Sequence, residues 1–191
     1  MRINELKKED MNIEQRKIFN EISSGPRGGV RGPLAIWMQR PGLADNAQSL
    51  GAYCRYNSSL SPKLSELAIC IIARIWGSEY EWRVHSVIAQ EAGIKGDIIE
   101  SIKLGKKPNF TDDNQEIIYR FAVSLHKYKY VADELYSEIV GILGQDSVID
   151  LVGVLGYYTL ISMTINVFDV ADGSGPTLPK LEVGIGNYFK I

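Results

Sequence analysis

From Leu151 to Phe168 the chain runs for eighteen residues without a charge, LVGVLGYYTLISMTINVF, and no other feature limits the fold as much. A segment of that length approaches a membrane span. Its composition argues otherwise: Gly153, Gly156, Tyr157, Tyr158, Thr159, Ser162, Thr164 and Asn166 dilute it, Asp150 and Asp169 flank it, and no second segment is present to accompany it in a bilayer. A helix apolar on nearly every side is instead a core helix, or one covered by a second subunit. The chain therefore reads as a globular protein without a membrane partner, and as a homo-oligomer.

Helix signals fill the rest of the sequence, and strand alternation extends over more than a few residues nowhere. Asp10 to Ser23 carries Ile13, Ile18 and Ile22 at helical spacing. Pro41 to Ser58 carries Leu43, Ala47, Leu50 and Tyr53 spaced to face a core, with small Ala and Gly residues that permit close helix contact. After Gly93, the stretch IKGDIIESIKLGKKPNF reads as a short helix and a turn, and Asp112 or Asp113 caps a helix through Ile117, Ile118, Phe121, Ala122 and Leu125. Asp133 opens another through Leu135, Ile139 and Leu143, closed by Gly144, and Asp146 starts the helix that holds the uncharged run. The expected fold is an all-α bundle of about six to eight helices. With 191 residues, 45% hydrophobic and 23% charged, a single domain over 1–191 buries its core unaided. That core is expected over about 25–170, with 171–191 an irregular tail that lies on the surface or reaches a neighbour.

A net charge of −2 and a pI near 5.8 do not supply the basic surface that nucleic acid needs, so none is expected as a partner. The N-terminal stretch MRINELKKEDMNIEQRK lacks the apolar centre of a signal peptide, and the expected location is cytoplasmic. Cys54 and Cys70 lie sixteen apart, form neither a CxxC nor a metal-binding pattern, and read as reduced, buried thiols. No metal site is expected. The loop SSGPRGGVRGP sets Arg27 and Arg31 among four glycines but lacks the Lys-Ser/Thr ending of a phosphate-binding loop, which argues against a nucleotide. Two uses remain open for it. Its glycines allow backbone amides to approach an anion while Arg27, Arg31 or the later Arg40 supplies a carboxylate fork, or it is a flexible connection with solvated arginines. His126, among Lys127 and Lys129, reads as a surface residue without a role.

The reactive side chains gather between Ser61 and Gly93, in SPKLSELAICIIARIWGSEYEWRVHSVIAQEAG. Ser61 and Pro62 begin a helix with Leu64, Leu67, Ile71 and Ile75 at helical spacing and Glu66 riding on it. Gly77 breaks the pattern. Ser78 then caps a second helix, with Glu81 three residues on at capping-box spacing. Ser78, Glu81, Trp82, His85, Ala89 and Ala92 fall on one face of this helix, read as its polar side, and Tyr80, Val84, Val87 and Ile88 fall on the other, read as the packing side. Glu81 and His85, four apart, are close enough to share a proton, and a carboxylate beside an imidazole keeps it charged and poised near neutral pH. The turn at Gly77 is expected to let Glu66 and His85 meet across a pocket.

The spacing of Glu66, Ser78, Glu81 and His85 resembles that of the carboxymuconolactone decarboxylase and alkylhydroperoxidase D group. In its peroxidase branch the motif is Glu, eleven residues, Cys, two, Cys, three, His. The segments ELAIC, AR, YEW, H and AGI are similar to the decarboxylase-like branch, which lacks the two cysteines. So are RGPLAIWMQRPGLADNAQSLGAY before the motif and LVGVLGYYTLISMTINVFDV after it, and the likeness covers roughly residues 25 to 170.

This resemblance implies an alkylhydroperoxidase D-like helical fold, assembly into dimers, trimers or hexamers, and a cofactor-free lyase that decarboxylates a small carboxylated lactone or similar acid in aromatic-compound degradation. His85 is then the candidate acid, Glu81 orients and tunes it, and Glu66 shuttles the proton or completes the pair. Ser78, Trp82, Arg31 and Arg40 are the candidate substrate-binding residues, the arginines for a second carboxylate of a small anionic substrate. Two alternatives stand beside this. One is an alkylhydroperoxidase-like antioxidant with peroxidase or peroxiredoxin activity. It requires a reactive thiol where this chain has Ser78 and Glu81. The other is a non-catalytic ligand-binding protein on the same fold.

Overall fold

Helix boundaries in this protein fall where the sequence supplies capping chemistry. The structure, a computed structural model, describes residues 1–170 and 175–179. Among them are nine α-helices and no strand: α1 (Ile13–Ser24), α2 (Pro33–Trp37), α3 (Pro41–Ala52), α4 (Pro62–Trp76), α5 (Glu79–Glu91), α6 (Gly96–Lys103), α7 (Asp113–Tyr128), α8 (Asp133–Leu143) and α9 (Gln145–Phe168). Proline occupies the start of α2, α3 and α4, where its missing N–H is no loss. Gly77 ends α4 in the left-handed region at φ 59°. The N–H of Ser78 bonds the Ala73 carbonyl and that of Gly77 bonds the Arg74 carbonyl, the paired bonds that close a helix and turn the chain at once.

The centre of the bundle is α4. Every residue from Leu67 to Ala73 is buried, so the helix is enclosed on all sides rather than on one stripe. The helices α5, α7 and α9 surround it, with α6 across a smaller area. Also packed against α9 are α2, α3 and a π-helical turn, Tyr53–Asn57, that continues α3. His126 ties α7 to α9: its Nδ1–H donates to the Ala122 carbonyl at 2.9 Å, and Nε2 lies 3.2 Å from the Thr159 hydroxyl. Half-buried, it is a structural link rather than the surface residue its lysine neighbours suggested.

Several local expectations are corrected. The segment α2 is a ninth helix, too short for any periodicity to reveal, and all five of its residues are buried. The first helix starts at Ile13, because Asn12 forms a capping box with Gln15, and Ile13 is left 89% exposed. In α3 the inward stripe is Ala44, Ala47 and Gly51, continued by Cys54, while Leu43, Leu50 and Tyr53 are exposed. Small residues face inward because α3 runs close to α1 and α9, leaving no room for leucine. Of the expected tail, only 175–179 lies within the described residues. There Leu178 is buried and the Pro179 carbonyl accepts a hydrogen bond from Arg74 Nη1 at 3.0 Å.

Among the described residues, α9 alone is long and apolar enough to cross a membrane. Leu151, Val154, Leu155, Tyr157, Tyr158, Ile161 and Ile165 are buried within the chain. The opposite side is not: Ile149 is 62% exposed, and Val152, Leu160, Met163 and Val167 continue a stripe down the helix with Gly156 in its middle. A stripe of that length on one helix has the character of an interaction surface. We propose that the cover is a second copy of this chain. Sedimentation is expected to give a multiple of the 21.3 kDa chain, reduced toward the single chain by the double substitution Val152→Lys and Leu160→Lys. A 21.3 kDa species for the unsubstituted protein at micromolar concentration would contradict this.

Candidate active site

A carboxylate in the middle of a fully enclosed helix is costly unless something pairs with it. Glu66 is that carboxylate, on α4, and it is 4% exposed. The turn at Gly77 folds α5 back along α4 so that His85, nineteen residues later, meets it: His85 Nδ1 lies 2.5 Å from Glu66 Oε2. The other ring nitrogen, Nε2, lies 3.2 Å from Glu81 Oε2, one helical turn back on α5. Each carboxylate accepts, so the ring form that satisfies both is the imidazolium, which donates twice. Burial works against that charge. The hydrogen bonds to Glu66 and Glu81 outweigh it and raise the His85 pKa to about 9. A second cation completes the group, with Arg55 Nε 4.0 Å from Glu66 Oε1. Two carboxylates, one imidazolium and one partly exposed guanidinium make a charge-balanced cluster.

This geometry inverts the expected faces of α5. Glu81, Trp82, His85, Ser86 and Ala89 are buried, while Val87 is 45% exposed. The charged pair is drawn inward because Glu66 is already there, and the apolar stripe is left outside. The capping box expected between Ser78 and Glu81 is absent for the same reason, since the Glu81 carboxylate goes to His85.

His85 and Glu81 form part of the wall of a cavity of about 600 Å³. Arg27, Gly29, Arg31 and Gly32 of the glycine-rich loop line it from one side, Arg55 and Tyr56 of the π-helical turn from another, and Tyr157 and Tyr158 of α9 from a third. The rings step along the wall: His85 stacks edge-on against Tyr158 with centroids 5.1 Å apart, and Tyr158 against Tyr157 at 5.4 Å. Burial pushes the Tyr158 hydroxyl well above its ordinary pKa and the Tyr157 hydroxyl to about 12, so both stay protonated donors. Glycine at position 32 has a specific reason. Its φ is 59°, and a Cβ there would fall within 2.7 Å of the Tyr80 ring.

The π-helical turn that aims Arg55 at Glu66 is held by Asp150 at the start of α9. Its carboxylate accepts from the Tyr53 hydroxyl at 2.7 Å, from the Ser59 N–H at 2.6 Å and from the Ser59 hydroxyl at 2.7 Å. Those bonds, the backbone one first, hold its pKa below the ordinary range. A π-helical turn carries one extra residue per turn and recurs at functional sites.

Of the residues singled out in the sequence, Glu66, Glu81, His85, Arg27 and Arg31 come together here. Three do not. Ser78 and Trp82 are wholly buried in the core and line no part of the cavity, because the face that carries them packs against the surrounding helices. Arg40 is exposed at the start of α3 and lies away from the cavity, since the intervening α2 carries it off. Arg55, Tyr157 and Tyr158 belong to the site and were not anticipated. Two adjacent tyrosine hydroxyls in an uncharged core helix were the available signal, because buried hydroxyls seek partners. Neither cysteine lines the cavity. Both are buried and unpaired, and burial raises the thiol pKa, well above its ordinary value for Cys70.

No family model matches the chain, and no curated protein matches it in sequence. In three dimensions it is similar to the crystal structure of the debrominase Bmp8, a cysteine-to-alanine variant in complex with 2,3,4-tribromopyrrole. The TM-score is 0.68 over 90% of this chain and 91% of that one, at 13% identity. The likeness is one of fold, an all-α bundle of the alkylhydroperoxidase D-like type.

The raised pKa of His85 fixes a sign for stability against pH. Histidine in the unfolded chain titrates near 6.5, so the cluster's contribution is fully present below about 6.5 and is lost as pH climbs through about 9. Urea unfolding is expected to show stability falling across that window, and Glu66→Gln, which removes one of the two carboxylates, is expected to flatten the fall. An identical slope in the variant and the parent would contradict the assignment.

Proposed function

We propose that the protein is a cofactor-free lyase that decarboxylates a small organic acid, with His85 as the proton donor. The observation that carries this reading is a histidine with each ring nitrogen against a carboxylate oxygen, on the wall of an arginine-lined cavity. Loss of CO₂ leaves an electron pair on carbon. In the proposed reaction the C–CO₂ bond breaks and that pair moves into an adjacent carbonyl, giving an enolate. The His85 Nε2–H then delivers its proton to carbon, and a proton from solvent restores the imidazolium through Glu81. One proton is consumed for each CO₂ released, so an acid whose pKa is raised to about 9 is charged and ready at neutral pH.

Each other group has a part. Glu66, behind the ring and away from the cavity, holds its orientation and charge. Tyr158, edge-on to His85, supplies a protonated hydroxyl on the cavity wall where the enolate oxygen would form. Arg27, Arg31 and Arg55 draw an anionic substrate into the cavity. The debrominase of similar fold is in complex with 2,3,4-tribromopyrrole, a small ring compound, which agrees in size with a ring-shaped substrate here. Peroxidase chemistry through a thiolate is disfavoured, because Cys54 and Cys70 are buried, raised in pKa and outside the cavity.

The test is turnover of a carboxymuconolactone-type substrate followed by ultraviolet absorbance. His85→Gln is expected to lower the rate by about a hundredfold to ten-thousandfold. The double variant Cys54→Ala and Cys70→Ala is expected to leave it within a few-fold. A dead cysteine variant beside a fully active His85→Gln would replace the acid–base reading with a redox one. Saturable binding without turnover, in a panel of small carboxylated lactones, would make the protein a binder.

A further inference from the structure

The two rows of side chains that α5 turns toward the cavity differ in kind. Glu81 and His85, one helical turn apart, form a charged row. Tyr80 and Val84, also one turn apart and part of the apolar stripe left outside the core, line the cavity beside them. Other elements extend this apolar row. Ile161, one turn beyond Tyr157 and Tyr158 on α9, lines the cavity, as do Pro33 and Leu34 of α2 and Val170 just past the end of α9. Val170 reaches it because Asp169 takes the left-handed conformation at φ 51° and turns the chain back, so that the Val170 N–H donates to the Ile165 carbonyl at 3.0 Å.

The cavity is therefore long and has unlike ends. From Tyr157, with Arg27 beside its hydroxyl, to Ile165, where Val170 turns back, α9 rises about 12 Å at 1.5 Å per residue. His85, edge-on to Tyr158, meets α9 near the charged end. The stretch before α1 closes the apolar end: Met1 lines it, and Arg2 ties this stretch to α9, its N–H donating to the Phe168 carbonyl at 2.8 Å and its Nη1 to the Val167 carbonyl at 3.0 Å. At about 600 Å³ the cavity falls within the range of roughly 300–1,000 Å³ that holds drug-sized molecules. A one-ring acid at His85 leaves the apolar end to water, and apolar walls give water few hydrogen-bond partners.

We infer that the cavity takes acids that carry an uncharged apolar arm, with the acid end at His85 and the arm lying along Val84, Leu34 and Ile161 toward Val170, and that these side chains determine specificity. The inference rests on the proposed acid–base reading for the reacting end only. The arm is held by removing apolar surface from water, which needs no chemistry at His85.

Calorimetric titration of the full chain with benzoate and its para-methyl, para-ethyl, para-propyl and para-butyl derivatives tests the arm without a known substrate. Affinity is expected to rise about threefold to fourfold for each added carbon and to level off where the arm meets Met1 and Val170. Val84→Asn is expected to cut the rise to below about twofold per carbon. Val84→Phe, which fills the path of the arm, is expected to make affinity level off at a shorter derivative. Val84 is only half-buried, and circular dichroism checks that both variants are folded. If Val84→Asn is not, Val84→Phe decides alone. A flat series in the unsubstituted protein would overturn the inference. So would an unchanged series in either folded variant, which would place the alkyl groups elsewhere, such as the exposed side of α9. Turnover judges the other reading separately. A flat series in a protein whose turnover depends on His85 removes only the arm, and a steep series in a protein without turnover keeps the arm and removes the lyase.

Discussion

The pairing of Glu66 with His85 is the interaction on which the rest of this structure depends. A carboxylate on a helix enclosed on all sides, if left alone, would cost several kcal/mol, and removing one partner of a buried pair costs about 3–5 kcal/mol. The fold meets that cost by turning sharply at Gly77 and laying α5 against α4, which delivers an imidazole to the carboxylate at 2.5 Å. Once His85 is charged, its second ring N–H needs an acceptor, which Glu81 supplies, and Arg55 beside Glu66 offsets the second carboxylate. The orientation of α5, the course of the π-helical turn and the placement of Asp150 beneath that turn serve this balance.

The same constraint explains how α9 is divided between two tasks. Its inner side supplies Tyr157 and Tyr158 to the cavity wall and, outside the cavity, Thr164, whose hydroxyl accepts from the Trp37 indole N–H at 3.1 Å. Its outer side is apolar and uncovered by the chain itself. The run without charge from Leu151 to Phe168 suits both places, inside because the charges of the cavity wall come from α5, the π-helical turn and the glycine-rich loop, and outside because a stripe of Val, Leu and Met suits a protein partner.

Much of the fold was legible in the sequence because caps and breaks are local. Gly77, Asp112 and Gly144 mark helix ends by backbone chemistry that no distant residue overrides. The meeting of Glu66 and His85 was legible from spacing across one turn. What periodicity misread was direction. In α5 and α3 it assigned the larger apolar residues to the core, whereas α5 turns its charged face inward toward Glu66 and α3 turns its small residues inward to approach its neighbours. Both are tertiary demands, invisible within the helix concerned. Arg55 was hidden for a different reason: it lies on a π-helical turn, where the 3.6-residue period does not apply.

The central claim, that His85 is held as an imidazolium between two carboxylates, can be read from its ring nitrogens. The chain has two histidines, so nitrogen-15 spectra of labelled protein contain two imidazoles, and His85→Gln assigns them. At pH 7.5 the account predicts that both His85 nitrogens carry protons and that the ring titrates near pH 9, whereas His126, whose pKa burial lowers, is neutral. A neutral His85 at pH 7.5, with one unprotonated ring nitrogen, would contradict the account.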